Sequence, residues 1–215
     1  PEYISRLKKL CDENDVLLIL DEIAVGFGRT GKMFASELAG IVPDMMCIGK
    51  GLTGGTLPMS AVVASEEIYD AFRSDSRTDR TFYHGHTFCG NPIAAAAACT
   101  AIDIYEQDNV LENVEMLEEL LSEGNHLPRP LPGVHGSTAL GCMSALEITK
   151  ESGGAETALN IANTARGKGL FIRPLGSVLY LWPPLVTSKK EMGIMLRIFG
   201  DSLIENLAQK QVHPQ

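Results

Sequence analysis

The sequence offers no cysteine pairing to build on. Its five cysteines, Cys11, Cys47, Cys89, Cys99 and Cys142, are an odd number, widely spaced, and form no CxxC. A disulfide framework or a zinc site needs closer, paired ligands, so these thiols are expected to be reduced, in a cytoplasmic setting. Basic residues are also short, with 18 Lys+Arg against 27 Asp+Glu and a net charge of −9. An acidic chain with no basic run is a poor partner for nucleic acid or an anionic membrane. No apolar run approaches the length of a membrane span; the alanine-rich stretch 93–101 is too short. The chain opens Pro1-Glu2-Tyr3, with no Met, no signal h-region and no transit-peptide character.

What is present is globular. Hydrophobic residues make up 45% of the 215 and charged residues 21%, a composition that argues against disorder. Residues 3–14 carry Ile4, Leu7, Leu10 and Cys11 at helical spacing. The run 16–20 reads as a strand covered on both faces, ending at Asp21-Glu22. A glycine-rich loop, 26–32, follows. Further short strands are expected at 44–48 and 60–64, with a loop at 51–58 between them and a short helix at 66–72. A polar connection spans 73–80. Asn91-Pro92 opens a helix running to 106, and 110–122 forms another with Leu111, Val114, Leu117 and Leu121 on one face. The stretch 127–133 holds three prolines and a glycine, which marks a linker or domain edge. Strands are expected at 144–148, 170–174 and 178–183, and a helix around 156–168. Ser188-x-x-Glu191 is a capping box before a final helix striped by Met192, Met195, Phe199 and Leu203. The first half therefore alternates helix and strand like an α/β sheet, and the second reads as a smaller α+β unit.

Gly26-Phe27-Gly28-Arg29-Thr30-Gly31 matches G-x-G-x-x-G, yet a dinucleotide fold needs those glycines directly at a strand end, opening a helix. The same loop misses a P-loop because Met33 stands where Ser or Thr must hold magnesium. A glycine-rich turn is the better reading of both. His84 and His86 form an HxH, but no carboxylate or thiol lies at a spacing that completes a metal site. The stronger pair is Asp21 and Lys50, each just after an apolar strand. Ligands of open α/β sheets bind at such carboxyl ends. A lysine there could hold an aldehyde as a Schiff base, and a carboxylate could keep a pyridine nitrogen protonated. Spacing alone leaves open a surface lysine and an ordinary strand-end aspartate.

The segment Asp21-Glu22-Ile23-Ala24-Val25-Gly26-Phe27-Gly28-Arg29-Thr30-Gly31, after its apolar strand, resembles the signature of the class III, fold-type I aminotransferases. Ile48-Gly49-Lys50-Gly51-Leu52-Thr53-Gly54-Gly55 is similar to their pyridoxal-lysine segment. His84-Gly85-His86-Thr87-Phe88-Cys89-Gly90-Asn91-Pro92 resembles the segment that reaches the cofactor phosphate of a partner subunit. The form of that segment, with Ile172-Arg173-Pro174-Leu175-Gly176 and Tyr180 later on, is similar to the branch of the class that serves biotin synthesis, with S-adenosylmethionine as amino donor.

The resemblance implies a pyridoxal 5'-phosphate aminotransferase, working as a homodimer with the cofactor at the subunit interface. Residues 1–107 would be the C-terminal part of a large three-layer αβα cofactor domain, and 108–215 a small α+β domain. Lys50 and Asp21 would be catalytic, Lys50 bonding the cofactor and moving a proton, Asp21 pairing with the pyridine nitrogen. Thr87 and His86 would lie at the cofactor, Thr87 on its phosphate. Arg173 would bind the substrate carboxylate, Tyr180 would line the same pocket, and Arg29 would help shape substrate choice. The resemblance also leaves ω-amino acid or acetylornithine donors open. Its phosphate-binding Gly-Ser turn and ring-stacking aromatic match nothing in this sequence. The chain is therefore expected to be a C-terminal portion of a longer enzyme, or a silent fragment that serves only as a fold or dimerisation module.

Overall fold

A computed structural model describes residues 1–74, 79–124 and 131–212. The connection expected at 73–80 and the linker expected at 127–133 fall partly outside them. The chain divides into two units, Pro1–Asn109 and Val110–Gln215. The architecture is mixed α/β.

The first unit opens with α1 (Glu2–Glu13) and continues with β1 (Ile19–Asp21), α2 (Ala35–Ala39), β2 (Met45–Ile48), a 3-10 turn (Lys50–Thr53), β3 (Ala61–Ala64), α3 (Glu66–Ala71) and α4 (Pro92–Gln107). Its sheet has the order β1-β2-β3, with β1 and β2 parallel and β2 and β3 antiparallel. Asp44 sets the start of that sheet. Its carboxylate accepts the Leu18 N–H at 2.8 Å and the Lys8 ammonium at 3.3 Å. These bonds hold the carboxyl below its ordinary range, the Leu18 N–H most strongly.

β1 is shorter and barer than the run 16–20 suggests. Val16, Leu17 and Ile19 are exposed and Leu18 alone is buried. The shortness has its cause in the backbone. Val16 N–H donates to Cys11 O and closes α1, while Leu18 N–H goes to Asp44, so neither is available to a strand ladder. Asn91 and Pro92 behave as expected: the Asn91 Oδ1 accepts the N–H groups of Ile93 and Ala94 at 2.9 and 3.4 Å and starts α4.

The second unit holds α5 (Val110–Gly124), β4 (Val134–Ala139), β5 (Ser144–Ile148), α6 (Gly154–Gly167), β6 (Val178–Leu181) and α7 (Lys189–Val212). β5 is the central strand of an antiparallel sheet, β4-β5-β6. Val114, Leu117 and Leu121 of α5, Ile161 of α6, and Met192, Phe199 and Leu203 of α7 bury their stripes in one core with Leu146, Ile148, Leu179 and Leu181. The capping box closes α7: Ser188 Oγ and N–H donate to Glu191 Oε2 at 2.6 and 2.9 Å, and Glu191 N–H returns to Ser188 Oγ at 3.3 Å.

One strand here is unexpected and one expected strand is absent. β4 is a strand although its Val-His-Gly-Ser-Thr-Ala sequence is polar; the strong ladder of β5 recruits it, with an irregularity between Val134 and Gly136. Residues 170–174 form no strand. Leu170 and Ile172 are buried and Phe171 and Arg173 exposed, a strand's alternation without its hydrogen bonds. Pro174 has no N–H to offer a ladder, and the chain turns at once through the Leu175–Val178 bridge into β6.

Candidate active site at the strand ends

The parallel pairing decides where chemistry can gather in the first unit. Asp21 is the last residue of β1 and lies in register with Cys47 of β2. Lys50 follows β2 after Gly49. Both side chains therefore leave the sheet at the same carboxyl edge. Asp21 Oδ1 accepts the Ile23 N–H at 3.0 Å, which turns the chain just after the strand. Both residues are exposed, and no ion pair among the described residues includes either. A carboxylate and an amine thus stand at neighbouring strand ends, exposed to a bound group.

The backbone around Lys50 is held in an unusual shape. Lys50 itself has φ +43°, a left-handed conformation that costs a non-glycine residue about 1–3 kcal/mol. The next residue, Gly51, runs so close to Phe27 that a Cβ there would meet the Phe27 Cβ at 2.6 Å. Phe27 is buried, has φ +54°, and packs edge-on against Phe34 with ring centroids 5.5 Å apart. Its carbonyl accepts the Tyr105 hydroxyl of α4 at 2.7 Å. Burial raises the Tyr105 phenol above its ordinary value, and the nearby Arg29 charge opposes that rise.

Glu22 takes a part that no motif assigns to it. It is 2% exposed, and its two carboxylate oxygens accept the N–H groups of Ala35 and Ser36 at 2.7 Å each. The loop that leaves β1 is therefore tied back onto its own root. The only sequence signal is a second carboxylate beside Asp21. The glycine-rich loop is a turn, as expected, and opens no helix of the kind that cradles a nucleotide: Gly28 and Gly31 take φ +84° and +89°, and α2 does not begin until Ala35.

The other candidate residues belong to other segments. His86 and Thr87 sit in the exposed turn before α4. His86 builds that turn: its Nδ1 accepts the Phe88 N–H at 3.1 Å and its carbonyl accepts the Cys89 N–H at 3.0 Å. Thr87 is exposed. Arg173 and Tyr180 belong to the second unit. Arg173 is exposed between α6 and β6, and Tyr180 is half-buried on β6 with its ring edge-on to Trp182, centroids 6.3 Å apart.

The residues at the strand ends fit pyridoxal phosphate by their donor set: an amine for an aldehyde and a carboxylate for a protonated ring nitrogen, neither in an ion pair among the described residues. Comparison with known proteins identifies the family. The model of the class-III aminotransferase family matches residues 1–203. An adenosylmethionine-8-amino-7-oxononanoate aminotransferase of Geobacter sulfurreducens is 36% identical over 98% of this chain and 46% of its own length. An omega-aminotransferase of Caulobacter vibrioides is 34% identical over 90% of this chain and 44% of its own. The crystal structure of the adenosylmethionine-8-amino-7-oxononanoate aminotransferase from Methanocaldococcus jannaschii superposes with a TM-score of 0.86 at 36% identity, covering 94% of this chain and 49% of that one. The chain spans about half the length of the relatives it matches. It belongs to the class-III aminotransferases, a family that uses pyridoxal phosphate.

Proposed function

We propose that this chain supplies the lysine-bearing strand ends and the small domain of an aminotransferase that moves an amino group from S-adenosylmethionine to 8-amino-7-oxononanoate. The observation that carries the reading is the parallel register of β1 and β2, which brings Asp21 and Lys50 to one edge, neither in an ion pair among the described residues. The substrate pair is supported by the 36% identity to the Geobacter protein of that name.

Pyridoxal phosphate, when bound, supplies an aldehyde that takes up an amino group and a ring that withdraws electrons from the substrate carbon. The Asp21 carboxylate would pair with the ring nitrogen and favour its protonated form. Lys50 Nζ would hold the aldehyde and, as a free amine, would carry the proton taken from the substrate carbon. Thr87 would offer its hydroxyl to the phosphate held by a partner copy, and His86 builds the turn that carries it. Arg173 grips the substrate carboxylate with its planar fork, Tyr180 lines that pocket, and Arg29 shapes which donor enters. The assembly is a homodimer.

Adding pyridoxal phosphate to the purified chain should give a visible absorbance band that Lys50→Ala abolishes. No band, or one that survives the substitution, rejects Lys50 as the cofactor lysine of this chain. A product assay decides the substrates. Formation of 7,8-diaminononanoate from S-adenosylmethionine supports the reading. A second reading, an ω-amino acid donor, rests on the Caulobacter relative and wins if that donor reacts and S-adenosylmethionine does not.

A further inference from the structure

We propose that Tyr105 is a positioning residue for Lys50, acting through Phe27. The inference rests on Lys50 being the cofactor lysine. Two contacts and a peptide bond make the path. The Tyr105 hydroxyl, on α4, donates to the Phe27 carbonyl at 2.7 Å. Phe27, fixed by that bond and by Phe34, presses its Cβ against the Gly51 backbone. Gly51 is covalently next to Lys50, whose φ of +43° needs an external hold to persist.

The surroundings make the path stiff. Phe27, Leu52 and Ala98 form a small buried cluster, with Met33, Phe34, Ile48, Met59 and Tyr105 packed against it. The cluster therefore joins the glycine-rich loop, the end of β2, the lysine turn and α4. Within it, the bond from Tyr105 is a directional link between α4 and the loop, and directional links fix orientation where apolar packing alone allows slippage. The turn after Lys50 is closed by its own bonds, Gly54 N–H to Gly51 O and Gly55 N–H to Lys50 O. Gly51 has no side chain, so the turn can close directly onto Phe27. Lys50 then leaves the sheet in one direction.

Tyr105→Phe tests this, because it removes one oxygen and keeps the ring. Amide hydrogen exchange on the full chain, without cofactor, should speed up by about tenfold in peptides covering 26–31 and 49–56. Peptides covering 144–148 in the other unit should be unchanged. Unchanged exchange at 49–56 overturns the proposal. A rise that includes 144–148 also overturns it, since the residue then serves stability at large. With pyridoxal phosphate added, the Lys50-dependent band of the variant should need about tenfold more cofactor and shift its maximum. A variant band identical in both respects also overturns the proposal. If the unaltered chain shows no such band, the cofactor reading fails, while the exchange result still decides whether Tyr105 holds the Lys50 turn.

Discussion

At the scale of single residues, the loop after β1 depends on one buried carboxylate. Glu22 accepts two backbone N–H groups at 2.7 Å from inside the protein. Glu22→Gln keeps the size but trades one acceptor oxygen for an NH2 that faces an N–H donor. Charge-assisted bonds contribute about 1.5–3 kcal/mol each, so the substitution should cost about 2 kcal/mol in urea unfolding and should weaken cofactor binding through the loop. Glu22→Asp should not rescue, because it cannot reach both donors. Thr30 on the same loop makes the opposite case. Its hydroxyl is buried with no hydrogen-bond partner among the described residues. Thr30→Val removes that unsatisfied group without changing shape, and should raise stability by about 1 kcal/mol in the same measurement. An unchanged or lower unfolding midpoint would show that the hydroxyl has a partner in solution.

At the scale of elements, the clearest case is the start of α7. The Ser188 hydroxyl and N–H hold the Glu191 carboxylate below its ordinary value of 4.5. A carboxylate lowered in the folded state stabilises it above the unfolded value and loses that contribution as pH falls through the folded one. Melting temperatures should thus fall on acidification below about pH 4.5, and Glu191→Gln should show a smaller fall over that window. Ser188→Ala should cost about 1 kcal/mol at neutral pH. An equal acid slope in wild type and Glu191→Gln would remove the box from the acid response. This box was legible in four residues, as were the Asn91 cap and the stripes of α5 and α7, because each is local. β4 and the segment 170–174 were not. One is a polar strand recruited by its neighbour, and the other alternates like a strand but spends its backbone elsewhere. The candidate site divides in the same way. Asp21 and Lys50 announce themselves at strand ends and in motifs. The burial of Glu22 and the bond from Tyr105 to Phe27 join positions far apart in the chain, and no local pattern carries them.

At the scale of the whole chain, apolar side chains are shared unequally between the two units. The second buries Leu117, Leu121, Ile161, Leu179, Met192 and Leu203 around β5. The buried cluster of the first is Phe27, Leu52 and Ala98, while Val16, Leu17, Ile19, Val62 and Val63 of its sheet region stand in solvent. Hydrophobic stabilisation follows the area removed from water, so the two units should differ in local stability. Amides of β5, α6 and α7 should exchange slowest in the chain, and those of β1 and β3 much faster. Substitutions should follow the same division. Leu203→Ala, at a fully buried position, should cost about 2–5 kcal/mol. Ile19→Ala, on a bare face, should stay within about 0.5 kcal/mol. A large cost at Ile19 would mean that this face is covered in solution. The strand ends that present Asp21 and Lys50 would then be steadied by a surface outside this chain's own core.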